Sequence, residues 1–144
     1  MGLTLMQTFL PYADFAASMK VLDPIRLGNQ VYREGITLLR GGWRHHPAAL
    51  MWEHNKDALA AYLWAGVLEL VARGRDYRDR PWAIEIQSYG LDDPEMPFWL
   101  GDEPFHSAHR AALLDKNYEY YSQFGWEEEP AMDYLWPVKK IRRK

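Results

Sequence analysis

Fifteen residues, Ala58 to Ala72, constrain this chain more than any other stretch. Glu69 is their one charged side chain, and apolar residues run nearly all the way round a helical projection. A surface helix carries a single apolar stripe, whereas a helix apolar on every side must be covered on every side. No run in the 144 residues approaches the roughly 18 apolar residues of a membrane span, so the cover has to come from the rest of the chain. The expectation is an all-α fold: one compact helical domain, residues 1–138, around one long central helix, followed by a basic tail, residues 139–144.

Punctuation along the chain gives the other elements. A first helix is expected from Tyr12 to Val21, with Asp14 as its cap. Asp23-Pro24 reads as an N-cap followed by proline at the first helical position, and this second helix runs to Arg40 before Gly41-Gly42. His46-Pro47 opens the third in the same way, and it can continue to Arg73 before Gly74. A fourth spans Pro104 to Leu114 and leads through Lys116-Asn117 into the aromatic segment Tyr118 to Trp126. Arg75 to Gly101, rich in Pro, Asp and Arg, reads as a long irregular connection in which Ala83 to Ile86 forms a short strand or a turn of helix.

Composition excludes several chemistries. The chain has no cysteine, which removes disulfides, thiolate nucleophiles and iron–sulfur clusters. No signal-peptide pattern opens it, so the cytoplasm is the expected compartment. The net charge is −3, but five of the 17 Lys and Arg lie between Lys139 and Lys144. Residues 1–138 thus hold 12 basic against 20 acidic side chains, a net −8. Bulk charge therefore argues against a nucleic-acid partner.

The second helix reverses that inference. Ile25, Tyr32, Ile36 and Leu39 recur as a core stripe, while Asp23, Arg26, Gln30, Arg33, Thr37 and Arg40 form a separate polar file, with Arg44 just beyond. Arginines in file can neutralise backbone phosphates, and a lone carboxylate at their head can face a developing cationic centre. Any solvated helix face shows the same pattern, and Asp before Pro is a routine cap. Periodicity alone leaves both readings open.

A resemblance bears on the choice. Val21-Leu22-Asp23-Pro24-Ile25-Arg26-Leu27-Gly28-Asn29-Gln30 resembles the catalytic region of the small all-α pyrimidine-dimer DNA glycosylases of the phage endonuclease V type. Met6 to Tyr12, Gly42 to Ala48 with Met51-Trp52, Trp99 to Glu103, Phe105 to Arg110 and Tyr120 to Trp126 resemble further segments of that family, in its order. The resemblance implies that Asp23 is the catalytic carboxylate and Arg26 a phosphate contact. It also implies that a mature N-terminal amine attacks C1′ of the damaged nucleotide and forms an imine that permits cleavage at the abasic site. Removal of Met1 would expose Gly2 as that nucleophile, 21 residues before Asp23; an internal start would offer Met6 instead. An α-amine titrates near 8, below lysine, and supplies more neutral nucleophile at working pH.

The expected partner is duplex DNA, bound by a monomer without a membrane, metal or organic cofactor. Arg26, Gln30, Arg33, Arg40 and Arg44 would hold phosphates, with His46, His106, His109, Tyr120 and Tyr121 near the substrate. His106 and His109, three apart, do not match a zinc-site spacing. Trp52, Tyr62 and Trp64 read as core. The Tyr118 to Trp126 cluster is either packing or base contact. A non-catalytic nucleic-acid-binding protein on the same scaffold is the alternative, and the acidic run Glu127-Glu128-Glu129 leaves a protein-interaction module as a third.

Overall fold

A computed structural model describes residues 7–133 and 135–137. Gly2, Met6 and the basic tail lie outside the described residues. The described chain is helical without strands: α1 (Phe15–Val21), α2 (Pro24–Tyr32), α3 (Glu34–Leu39), α4 (Pro47–Trp52), α5 (Lys56–Ala72), α6 (Pro81–Gln87), α7 (Glu103–Lys116) and α8 (Tyr118–Tyr121), closed by a 3-10 turn at Ser122–Phe124. Among these residues no helix is long and apolar enough to cross a membrane. The expected central helix is α5, against which α1, α2, α3, α4 and α6 all pack. Its Leu59, Tyr62, Leu63, Val67 and Leu70 are buried, and Gly66 lets Val31 of α2 and Met19 of α1 approach the backbone.

Two helices read as continuous are interrupted. The third breaks at Glu53–Asn55, so the long helix begins at Lys56. Residues 52 and 62 on one straight helix would stand about 15 Å apart along the axis. Here the Trp52 and Tyr62 rings stack at 5.8 Å, and Trp99 meets Trp52 edge-on at 5.0 Å. The turn exists so that Trp52 can fold back onto α5. The second helix breaks at Arg33 (φ −122°, ψ −81°), which ends α2 and begins α3. At Gly35 an added Cβ would lie 2.0 Å from the Gln30 carbonyl oxygen and 2.3 Å from a Leu63 methyl, so the joint closes only around a residue without a side chain. The segment Ala83 to Ile86 is helical, within α6.

The segment from Gln7 to Pro11 is buried and runs between α2, α5 and α7 without a strand beside it. Its backbone groups must therefore find side-chain partners. Gln30 Nε2 donates to Gln7 O (2.7 Å), and Phe9 N–H donates to Gln30 Oε1 (2.8 Å). The Tyr62 hydroxyl donates to Phe9 O (2.7 Å). Leu10 N–H donates to His109 Nδ1 and Leu10 O accepts from His106 Nδ1, each at 2.8 Å. Arg110 Nη1 donates to Pro11 O (2.7 Å). His106 also accepts from Gly101 N–H at Nε2 (2.9 Å), which fixes its neutral tautomer.

Burial, reinforced by neighbouring His106, holds His109 down to about 3, well below the ordinary 6.5. The unfolded chain therefore takes up a proton near pH 6.5 that the folded chain refuses until about pH 3. This contribution to stability is complete above pH 6.5 and is lost on acidification, with a slope of about 1.4 kcal/mol per pH unit across the window. Urea unfolding between pH 7 and pH 4 should show His109→Asn less acid-sensitive than the wild type. Gly35→Ala should lower the unfolding free energy by about 2 kcal/mol despite alanine's better helix propensity, measured by the same urea titration at pH 7.

Candidate active site

Asp23 occupies the N-cap position of α2, yet its carboxylate makes no capping hydrogen bond. The residue is only 6% exposed. Its Oδ1 accepts from Arg26 Nη1 (3.1 Å) and, in a short contact, from the Tyr121 hydroxyl. Tyr121 Oη in turn accepts from Asp23 N–H at 3.0 Å. The tyrosine thus grips both the backbone and the side chain of Asp23. Burial first, and the hydrogen bond to Asp23 second, push the Tyr121 hydroxyl up, so it stays a donor. The Tyr121 ring is held by parallel stacking on Trp126 at 5.8 Å, which explains why this aromatic cluster follows α7.

Asp23 opens onto a cleft of about 370 Å³ lined by Phe9, Ile25, Arg26, Asn29, Gln30, Glu34, Lys116 and Asn117. One wall is α2 with the first residue of α3. The other is the junction of α7 and α8, where Asn117 caps α8 by accepting from Tyr120 N–H (3.2 Å). The cleft therefore holds two carboxylates and two cations. Burial raises the Glu34 carboxyl above its usual range, against the opposing pull of Arg33 and Lys116. Burial, then the charge of Arg26, lowers the Lys116 ammonium, with Asp115 and Glu34 opposing. An acidic groove of similar size, lined by Asp57, Trp64, Tyr89, Asp92 and Asp93, lies elsewhere and carries none of these cations.

Of the expected site residues, the cleft brings together Asp23, Arg26 and Gln30. Gln30 is 2% exposed, and its amide is occupied by Gln7 and Phe9, so it builds the floor instead of joining a phosphate-binding file. The break at Arg33 ends that file: Arg33 is exposed and away from the lining, and Glu34 takes the place inside. Arg40 is engaged by Glu85 through Nε and Nη2 (3.0 and 2.7 Å), and Arg44 is exposed outside the cleft. His46 caps α4 by accepting from Ala48 N–H at 3.0 Å. His106 and His109 are buried at 2% and 0% exposure and hold Leu10, which leaves neither ring a route to a phosphate. Tyr121 reaches Asp23 and not solvent, and Tyr120 packs edge-on against it at 4.9 Å. Tyr121 thus holds the carboxylate, and Tyr120, half-buried, lies against Tyr121.

Ile25, read as core, is 75% exposed at the mouth of the cleft. Glu34, Lys116 and Asn117 were not singled out as site residues. Glu34 falls four residues after Gln30, as good a helical step as the three to Arg33, and that spacing could have found it. Nothing local marks Lys116, which reaches the cleft only through the packing of α7 beside Phe9.

A family model described as pyrimidine dimer DNA glycosylase matches residues 6–83, more than half of the chain. Neither a curated protein nor a solved structure matches it. The chain belongs to the pyrimidine dimer DNA glycosylase family. The matched residues carry Asp23 and the α2–α3 wall; Tyr121 and the Lys116–Asn117 wall come from beyond them.

Tyr121→Phe keeps the ring and removes both hydrogen bonds to Asp23. On any substrate the cleft turns over, it should lower kcat about 10- to 100-fold with little change in KM, as expected when a reacting group is misplaced. Steady-state kinetics of the two proteins check this.

Proposed function

We propose that this member of the pyrimidine dimer DNA glycosylase family cleaves the glycosidic bond of a damaged or modified pyrimidine, above all one within a pyrimidine dimer, in duplex DNA, with Asp23 as the essential carboxylate. One observation carries the reading: a buried aspartate at a helix N-cap is withheld from capping and aimed into a cleft that also holds Arg26 and Lys116. An ordinary cap would satisfy the backbone N–H groups of its own helix. As the bond from C1′ to the base breaks, positive charge develops on the sugar, and a preorganised carboxylate stabilises it.

The other groups divide the remaining work. Arg26 sits at the surface end of the carboxylate and offers its free N–H groups to a flanking phosphate. Glu34, biased by burial toward its neutral form, can give a proton to the departing base. Ile25 and the exposed Tyr118, beside Asn117, offer apolar surface on the two lips, suited to the gap left in a base stack when a nucleotide turns out. With few cations facing the DNA and an acidic remainder, binding is weak and strongly salt-dependent.

Strand cleavage requires an amine. Gly2, the nucleophile that the resemblance implies, lies outside the described residues. The lysine of the cleft is the second source.

Asp23→Asn should reduce glycosidic-bond cleavage in a duplex carrying a cyclobutane pyrimidine dimer by at least about 100-fold. Gel-shift affinity at low salt should stay within a few fold, since the asparagine leaves the cations in place. Counting strand breaks after hot alkali, which cuts at the new abasic sugar while the severed pyrimidine stays joined to its dimer partner, checks this. Cleavage at the wild-type rate would remove Asp23 from the chemistry. Binding without base loss by the wild-type protein across a lesion panel would make the chain a binding protein only.

A further inference from the structure

Lys116 ends α7 with its side chain half-buried in the cleft that holds Asp23. Its Nζ lies 5.9 Å from the centre of the Phe9 ring, and among the described residues it makes no hydrogen bond or ion pair. Two carboxylates, Asp23 and Glu34, line the same cleft. The other described lysines differ: Lys20 is exposed on α1, and Lys56 donates to Leu39 O at the far end of α3. An imine-forming amine has three requirements. It must be available as the neutral base, it must face the sugar without a competing partner, and it needs a carboxylate close by to handle protons. Lys116 lines the cleft without a hydrogen-bonded or ion-paired partner among the described residues. Its apolar support and the neighbouring Arg26 favour the neutral amine, and Asp23 and Glu34 line the same space.

We propose that Lys116 is the amine that forms the covalent imine with C1′ of the sugar, in place of the N-terminal amine that the family resemblance leads one to expect. The proposal rests on the reading of this cleft as the site of base release. With an intact nucleotide, neutral Nζ attacks C1′, the C1′–N bond breaks with its electron pair going to the base, and the base takes a proton from Glu34. The nitrogen then loses a proton to a carboxylate, the C1′–O4′ bond breaks with its electron pair going to O4′, which takes that proton back, and the opened sugar is left as the protonated imine. With a preformed abasic site, Nζ adds to the C1′ aldehyde and one water is lost. Removal of a C2′ proton by a carboxylate expels the 3′ phosphate, and water hydrolyses the imine to free the lysine. Arginine at this position would keep the charge toward phosphate but could not complete these steps.

The test uses the full chain and an abasic duplex, with borohydride to reduce the imine to a stable amine. The wild-type protein should be trapped, and tryptic mass spectrometry should find the deoxyribose on Lys116, where the modification also blocks cleavage. Lys116→Arg should lose at least about 100-fold of the trapped adduct while binding the abasic duplex within about threefold. The chain has no cysteine, so Lys116→Cys followed by 2-bromoethylamine rebuilds an amine at this one position and should restore trapping. An adduct on the N-terminal peptide, or undiminished trapping by Lys116→Arg, overturns the proposal. So does base release by the wild type with no adduct, which would mean attack by water. Trapping at Lys116 without base release from any lesion would instead uphold the lysine and refute the glycosylase reading.

Discussion

The arrangement rests on five residues of extended chain, Gln7 to Pro11, buried in a helical protein with no strand to pair with. An unpaired buried backbone group costs about 1–3 kcal/mol, so each N–H and C=O there calls for a partner from a helix. Gln30 of α2, Tyr62 of α5, and His106, His109 and Arg110 of α7 supply them. These bonds tie α7 to α2 and α5, helices with which it otherwise shares little surface. They set the spacing of α2 and α7, and that spacing is the width of the cleft. The polar groups in the core thus serve to hold a gap open at a fixed size.

Within that gap a second economy operates. Asp23 is forced to the N-cap position by Pro24, but Tyr121 takes its N–H and one carboxylate oxygen, so the side chain cannot turn back onto α2. A carboxylate so buried needs compensating hydrogen bonds, and it receives them from a phenol and a guanidinium instead of from backbone. Both leave room on the side facing the cleft. The aromatic stack of Tyr121 on Trp126 is the support for this geometry, which accounts for a large aromatic cluster at the end of so small a domain. The overall charge of −3 conceals the local picture: acidic residues gather around residues 57–93, whereas Arg26 and Lys116 face each other across the cleft.

How much of this the sequence discloses depends on range. The apolar stretch Ala58 to Ala72 announces the central helix, Asp23-Pro24 and His46-Pro47 announce two helix starts, and the Asp23–Arg26 spacing announces the carboxylate with its arginine. All are local. The joints at Arg33 and at Glu53–Asn55 are not legible, because each is decided by a distant contact: Gly35 against Leu63, and Trp52 folding back on Tyr62. The roles of His106, His109 and Tyr121 are hidden for the same reason. Leu10 and His109 are 99 residues apart, and Asp23 and Tyr121 are 98 apart. His106, His109 and Tyr121, which read as substrate contacts, are buried and bonded to Leu10 and Asp23. Ile25 errs in the other direction: on pattern it belongs to the core, yet it stands in solvent at the mouth.

The central claim is that one cleft, between Asp23 and Lys116, receives the sugar of a nucleotide turned out of duplex DNA. A crystal structure of Asp23→Asn bound to a duplex carrying a cyclobutane pyrimidine dimer tests it most directly. The account predicts C1′ of a dimer nucleotide between residue 23 and Lys116, with a flanking phosphate on Arg26 and Ile25 against the opened stack. DNA lying across another face, with the cleft unfilled and the dimer still stacked in the helix, would contradict it.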